Sequence, residues 1–278
     1  MSVVLITGAS TGFGRLTAEE FAAAGDTVVA TMRNPQAGAE LAAKAEAEGW
    51  SVEVQALDVT VSSTIDEAVA DVLNRHGRID VLVNNAGVGV QGPIEEVSDA
   101  ETRAAFDVNV FGVLAMMRAV LPAMRDQGSG AIANVSSTAG VVSTPFDGIY
   151  SATKWAVEAL TEAAHFELKQ FGIRVTSIEP GGFETNFDSS RIRAEGFGES
   201  SPYHDVATRF LAARGGIGGR GAKGPELVAQ VIRESVTTDT PRLRWPVGDD
   251  ADLITAVRVG SDFETYEQTI RTALDFWE

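Results

Sequence analysis

The stretch Val3-Val4-Leu5-Ile6-Thr7-Gly8-Ala9-Ser10-Thr11-Gly12-Phe13-Gly14 decides the fold. Its first four residues read as a short apolar strand, and a helical pattern occupies 15–24, so the glycines fall in the turn between strand and helix. A glycine turn there lets a pyrophosphate come close to the backbone while the amides of the helix N-terminus point at it. Three glycines alone do not settle the matter, because Gly8, Gly12 and Gly14 depart from the common G-x-G-x-x-G spacing. The surrounding pattern has to carry the assignment.

That pattern is regular. Runs rich in β-branched residues recur at 27–31, 51–56, 81–83, 131–135 and 173–178, and helical patterns cover 36–48 and 64–75 between them. The alternation predicts an α/β protein, a single-domain Rossmann fold over 1–278 whose doubly wound parallel sheet carries helices on both faces. A late strand is expected at 243–247 and a closing helix at 261–276. Over 186–224 the periodicity fails, as in a long mobile loop, and its place after the last regular strand suggests a substrate-covering loop or helix insertion.

With 278 residues and 44% hydrophobic content the chain can bury a continuous core. It has no cysteine and starts MSVVLITGAS, without the charged start and long apolar stretch of a secretory signal, so a cytoplasmic protein is expected. Gly, Arg, Asp or Asn interrupts every apolar run before the roughly 18 residues of a membrane span. A net charge of -17 repels phosphate backbones and acidic membranes, so neither nucleic acid nor membrane is expected as a partner. His76, His165 and His204 lie far apart and no cysteine joins them, so no metal site is expected.

The second strand runs into Met32-Arg33, where dinucleotide folds place the residue that reads the adenosine ribose. An Asp or Glu would select NAD, whereas the Arg33 guanidinium suits the 2'-phosphate of NADP. NADP(H) is therefore expected, with NAD(H) as the alternative.

Tyr150-Ser151-Ala152-Thr153-Lys154 opens another helical segment, and the i, i+4 spacing puts phenol and ammonium on one face. A phenol titrates at about pH 10, and a neighbouring ammonium favours its phenolate, which makes Tyr150 a candidate general acid or base.

Together these residues resemble the short-chain dehydrogenase/reductase family, which carries a TGxxxGxG turn, an NNAG segment, a catalytic serine, YxxxK and a PG segment. All are present, in order, over roughly 3–185. The resemblance implies that Gly8, Ser10, Thr11, Gly12, Phe13 and Gly14 bind the cofactor turn, and that Asp58 and Val59 lie near adenine. It has Asn84-Asn85-Ala86-Gly87 stabilise the sheet and, through Asn85, Ala86 and Gly87, line the adenosine and ribose side, and it places Pro180, Gly181, Phe183 and Thr185 around the nicotinamide. Phe183 stands where the family often has Ile or Leu. The catalytic serine, thirteen residues before the tyrosine, is Ser137, and Asn109 matches the asparagine that completes a proton relay through Lys154.

The implied reaction is hydride transfer between NADP(H) and an alcohol or carbonyl substrate, with Tyr150 exchanging the proton, Ser137 polarising the oxygen and Lys154 bonding the ribose. A catalytically silent NADP(H)-binding redox sensor is the competing reading, and it would not need the intact set Tyr150, Ser137 and Lys154. Epimerisation or dehydration would fit the family's extended branch, which usually carries a different glycine turn. The helix around 110–121 is apolar nearly all round, and the family pairs subunits through it, so a homodimer or homotetramer is expected. Phe146, Phe187, Phe197, Tyr203, Phe210 and Leu211 can line an apolar pocket or simply pack. The segment Pro241-Arg242-Leu243-Arg244-Trp245-Pro246-Val247-Gly248 resembles the tail of steroid- and retinol-dehydrogenase relatives, which points to a lipophilic substrate.

Overall fold

The computed structural model describes residues 1–185, 187, 191–216 and 223–274. Seven parallel strands form the central sheet: β1 (Val3–Ile6), β2 (Thr27–Met32), β3 (Val52–Ala56), β4 (Val81–Asn84), β6 (Gly130–Val135), β7 (Ile173–Pro180) and β9 (Arg244–Val247). Their spatial order is β3-β2-β1-β4-β6-β7-β9. The chain builds β2 and β3 outward from β1, then returns to place β4 on its other side. A crevice therefore opens beyond the carboxyl ends of β1 and β4, where such sheets bind their ligands.

Period-two burial explains the two layers. Leu5, Val29, Leu82, Ile132 and Val175 point to one face and pack with α3 (Ser62–His76), α5 (Gly112–Gln127) and α6 (Gly148–Leu168). Val4, Ile6, Val28, Ala30, Val83 and Ala133 point to the other, against α1 (Gly12–Ala23), α2 (Ala39–Glu48) and α8 (Glu226–Thr237). Because both faces are covered, the strands read as unbroken apolar runs rather than as alternating ones.

A short helix, α4 (Asp99–Phe106), starts in a capping box, with Ser98 Oγ accepting from Glu101 N and Glu101 returning to the Ser98 amide. It continues through a single π turn, Asp107–Phe111, into α5. The helical stretch Asp99–Gln127 is long and apolar enough to cross a membrane by length and composition. Its α5 side chains Val113, Met116, Met117, Val120 and Met124 instead fill the core against the sheet.

The expected irregular loop at 186–224 is only partly irregular. Ile192–Arg193 (β8) pairs in parallel with Val90–Gln91 (β5), and α7 (His204–Gly216) follows. The composition hid both: β8 is two residues long, too short for a period, and α7 has no marked apolar stripe. Positions 186, 188–190 and 217–222 lie outside the described residues. After β9 the chain forms α9 (Asp249–Val259) and then α10 (Phe263–Leu274), which is the expected closing helix.

Candidate active site

Every sequence-predicted site residue on a strand end lies on the same edge of the sheet, because all seven strands run parallel and each motif follows its strand. Gly8, at the end of β1, has φ +67°. A Cβ there would lie 2.8 Å from Ala86 Cα, so the turn admits neither the conformation nor the volume of a larger residue. Thr7 Oγ1 accepts from the amides of Asn85 at 3.0 Å and Ala86 at 3.1 Å. The Asn85 side chain returns two hydrogen bonds of 3.0 Å, to Thr7 O and Gly8 O. The Asn85 amide group thus locks the glycine turn to the end of β4. Gly14 is packed against the same lock: a Cβ would meet Gly8 O at 2.5 Å.

On the far side, Gly181 N donates to Val247 O at 2.9 Å, and the Phe183 ring meets the Phe13 ring edge-on at 5.8 Å. Thr185 faces the glycine turn, its Cβ 3.8 Å from where a Gly12 Cβ would stand. Phe183 and Thr185 therefore face Phe13 and Gly12 across the crevice, while Pro180 and Gly181 lie beside β9. Ser10 is half-buried there and Thr11 is exposed. Asp58 uses its carboxylate locally, accepting from Thr60 N and Thr60 Oγ1 at 2.9 and 2.7 Å, while Val59 packs behind it. Arg33 is exposed beyond the buried Met32 at the end of β2.

The chemistry-bearing residues gather over β4, β6 and the start of α6. Tyr150 and Lys154 are both buried, with Lys154 Nζ 5.7 Å from the centre of the Tyr150 ring and donating to Val135 O at 2.8 Å. Burial pushes the Lys154 amine down to about 8, opposed by the negative charge of Glu158. Asn109 sits in the π turn, a bulge that commonly marks function. Its Nδ2 donates to Val88 O at 2.8 Å and Thr153 Oγ1 at 3.0 Å, and its Oδ1 accepts from Val88 N at 2.8 Å. Gly87 separates Asn109 from Lys154, since a Cβ on it would be 3.4 Å from Asn109 Oδ1 and 3.8 Å from Lys154 Nζ. Ser137 follows β6 with its hydroxyl accepting from Ala139 N at 3.1 Å. Below them, Asn134 ties the layers, accepting from Asn84 Nδ2 at 2.8 Å and donating to Thr161 Oγ1 at 2.9 Å.

This geometry has relatives. Residues 2–196 match the family model described as short chain dehydrogenase. The chain belongs to the short-chain dehydrogenase family. A 3-ketodihydrosphingosine reductase from Bacteroides thetaiotaomicron is 39% identical over 209 residues, which cover 75% of this chain and 74% of the relative. A solved short-chain dehydrogenase from Streptomyces avermitilis, 39% identical, covers 99% of this chain and 98% of its own, with a TM-score of 0.82. A 3-ketoacyl-(acyl-carrier-protein) reductase from Brucella melitensis, solved in complex with NADH, is 28% identical over 89% of this chain and 96% of its own, with a TM-score of 0.74.

In this short-chain dehydrogenase, the side of the site facing away from the dinucleotide crevice contains residues that the motifs did not reveal. Arg191 NH1 pairs with the buried Asp147 at 2.8 Å. The Arg191 guanidinium lies 5.5 Å from the centre of the Tyr150 ring and 5.6 Å from that of Phe187, and the two rings are 5.7 Å apart. Neither partner of the ion pair belongs to a periodic pattern, and they are 44 positions apart, so only folding brings them together. Asp250 is a second such residue, its Oδ2 accepting from Gly182 N at 2.6 Å. The apolar set divides differently from a single pocket. Phe197 and Phe210 are buried in packing, Phe146 contacts both at 6.0 and 5.7 Å, and Tyr203 packs with them. Leu211 is exposed, and the Phe187 ring meets Tyr150.

Proposed function

We propose that the chain interconverts a ketone or aldehyde with its alcohol, using NADP(H), and that reduction is its main direction. The observation that carries the reading is the buried pair of Tyr150 and Lys154 on α6, with Lys154 anchored on Val135 O at 2.8 Å. When bound, the nicotinamide would supply or accept the hydride. The residues fit such a dinucleotide: Gly8 and Gly14 pack so closely on Ala86, Asn85 and the Gly8 carbonyl that only glycine keeps the turn tight, and the first amides of α1 attract an anionic pyrophosphate. Ser10, Thr11, Gly12 and Phe13 would hold it from one side, and Pro180, Gly181, Phe183 and Thr185 from the other.

Tyr150 would exchange its proton with the substrate oxygen, and Ser137 would hydrogen-bond that oxygen as charge develops. The Lys154 ammonium favours the phenolate of Tyr150, while Asn109 fixes the π turn and the start of the relay. Arg33 supports NADP(H): no carboxylate ends β2, and the exposed guanidinium suits a phosphate. The NADH in the Brucella relative leaves that choice open at the family level.

The Bacteroides relative's ketone and the Phe187 ring over Tyr150 support a lipophilic substrate covered by Phe187 and residues 191–216. Exposed Phe111, Trp155 and Phe166, on or beside α5 and α6, support a homo-oligomer. The decisive experiment is a panel of ketones, steroids, retinoids and short aldehydes followed by NADPH absorbance. Tyr150→Phe should lower turnover about 100- to 10,000-fold with NADPH binding retained. Near-normal turnover in that variant would reject the reading.

A further inference from the structure

Behind Lys154 the protein buries two carboxyl groups that the reaction above does not use. Glu158 lies one turn after Lys154 on α6, and Glu179 immediately precedes Pro180 on β7; they are 4% and 1% exposed. Glu158 Oε1 accepts a short hydrogen bond from Ser177 Oγ. Its Oε2 and both oxygens of Glu179 meet no hydrogen-bond donor among the described residues. Among the described residues the nearest cation is Arg244 on β9, whose Nε is 3.6 Å from Glu158 Oε2 and 3.9 Å from Glu179 Oε1. Its Nη2 is bound to Glu162 at 2.8 Å. Glu158, Glu162, Arg244 and, from α9, Arg258 line one groove of about 600 Å³ on the outer side of α6. On the inner side, Asp250 is committed to the amide of Gly182.

Two ionised carboxylates can only accept, so neither can satisfy the other. Two like charges at this depth, with one cation shared between them and a third acid, are also electrostatically unfavourable. A single proton eases both difficulties, because it joins two of the three orphan oxygens in a hydrogen bond and leaves one net charge. Burial and the neighbouring Glu158 charge accordingly raise Glu179 to about 7, against the pull of Arg244.

We propose that Glu158 and Glu179 share one proton as an acid pair, and that its remaining negative charge is the positioning device that keeps Lys154 an ammonium. Glu158 is the group that opposes the desolvation of Lys154, which is anchored on a neutral carbonyl. The consequence for turnover rests on the role given to Lys154 above, whereas the shared proton does not.

NMR titration of the full-length protein, with ¹³C-labelled glutamate carboxyls and lysine Cε, tests the pair without any substrate. One glutamate should titrate near 7 and Lys154, assigned with Lys154→Met, near 8. Glu158→Gln should lower the Lys154 midpoint by about one unit or more, a tenfold change in its protonation equilibrium. Glu179→Gln supplies an amide donor to Glu158, so it should abolish the near-neutral carboxyl signal and leave Lys154 close to its wild-type midpoint. The proposal is overturned if every glutamate titrates in the ordinary carboxylate range, or if Lys154 is unmoved in folded Glu158→Gln. Should Glu158→Gln not fold, the wild-type carboxyl titration and Glu179→Gln decide the question alone. Full turnover by Tyr150→Phe with these titrations intact would instead reject the reductase mechanism and leave the acid pair standing.

Discussion

At the dinucleotide end, Thr7, Gly8 and Asn85 from two parallel strands hold one another through hydrogen bonds of 3.0 Å. The segment after β7 is held instead by stacked rings, the two-residue pairing of β8 with β5 and the Arg191–Asp147 ion pair. A hydrogen-bonded turn has narrow tolerances in distance and angle, so an added methyl group is felt at once. Ring contacts are less directional than hydrogen bonds, and this cover is carried on a connecting segment outside the sheet, so one scaffold can keep its cofactor geometry while its substrate cover varies. The comparison predicts that substitutions on the first side disturb cofactor binding and stability together. Those on the second should disturb substrate selection and leave cofactor binding intact, with a loss of stability where a buried charge is left behind.

The harshest test is Gly14→Ala. Its Cβ would press on Gly8 O, a backbone atom that cannot move without dismantling the Asn85 lock. Overpacking of this kind costs about 3 kcal/mol. Thermal unfolding and NADPH fluorescence titration should both fall markedly, and an unchanged cofactor affinity would show the turn to be more compliant than argued.

Arg33→Asp comes next. Loss of a charge-assisted contact worth about 1.5–3 kcal/mol should raise the KM for NADPH roughly 10- to 100-fold relative to NADH. Equal changes for both cofactors would show that Arg33 does not read the 2'-phosphate.

Arg191→Met probes the other side. It leaves the buried Asp147 without its guanidinium but keeps an apolar stem over Tyr150. The expected result is a change of roughly tenfold in kcat/KM that differs between substrates, about 1.4 kcal/mol, with NADPH affinity unmoved. A parallel loss of cofactor binding would erase the distinction between the two regions.

The mildest expected effect is on pH dependence. Lys154 titrates at about 8, lowered by burial and held up by Glu158. Turnover that needs the ammonium should therefore decline as pH rises through about 8. Stability should move the other way. The folded state loses this proton at about 8 and the unfolded state only at about 10.4, so the lysine's contribution to stability rises with pH in that window. Profiles of kcat and of urea midpoint between pH 7 and 10 would show whether the two slopes oppose.

Much of the fold was legible because parallel strands covered on both faces carry unbroken apolar runs. The sheet strands at 3–6, 27–31 and 131–135 were placed within a residue of β1, β2 and β6. Tyr150, Lys154, Asn109 and Ser137 were legible as a spaced pattern, and the structure gathers them beside Gly87 and the end of β6. Asn85 spends its side-chain amide on Thr7 O and Gly8 O, which is the sheet-stabilising part of what the resemblance implies for its segment. Of the two readings left open for the six apolar residues, packing holds around Phe146, Phe197 and Phe210, while Leu211 lies on the surface. Hydropathy reports that a residue is apolar but not which neighbour covers it.

What the sequence by itself determined is whatever depends on near neighbours in the chain: strand and helix periods, the glycine turn, and the one-turn spacing of Tyr150 and Lys154. Parallel topology then delivers every strand-end motif to one edge of the sheet. Only the tertiary structure decided that Arg191 reaches Asp147 beside Tyr150, and that Glu158 and Glu179 meet behind Lys154. Their energies arise from burial and from charges many residues away along the chain, and a carboxylate gives no sign of either until the fold removes it from water.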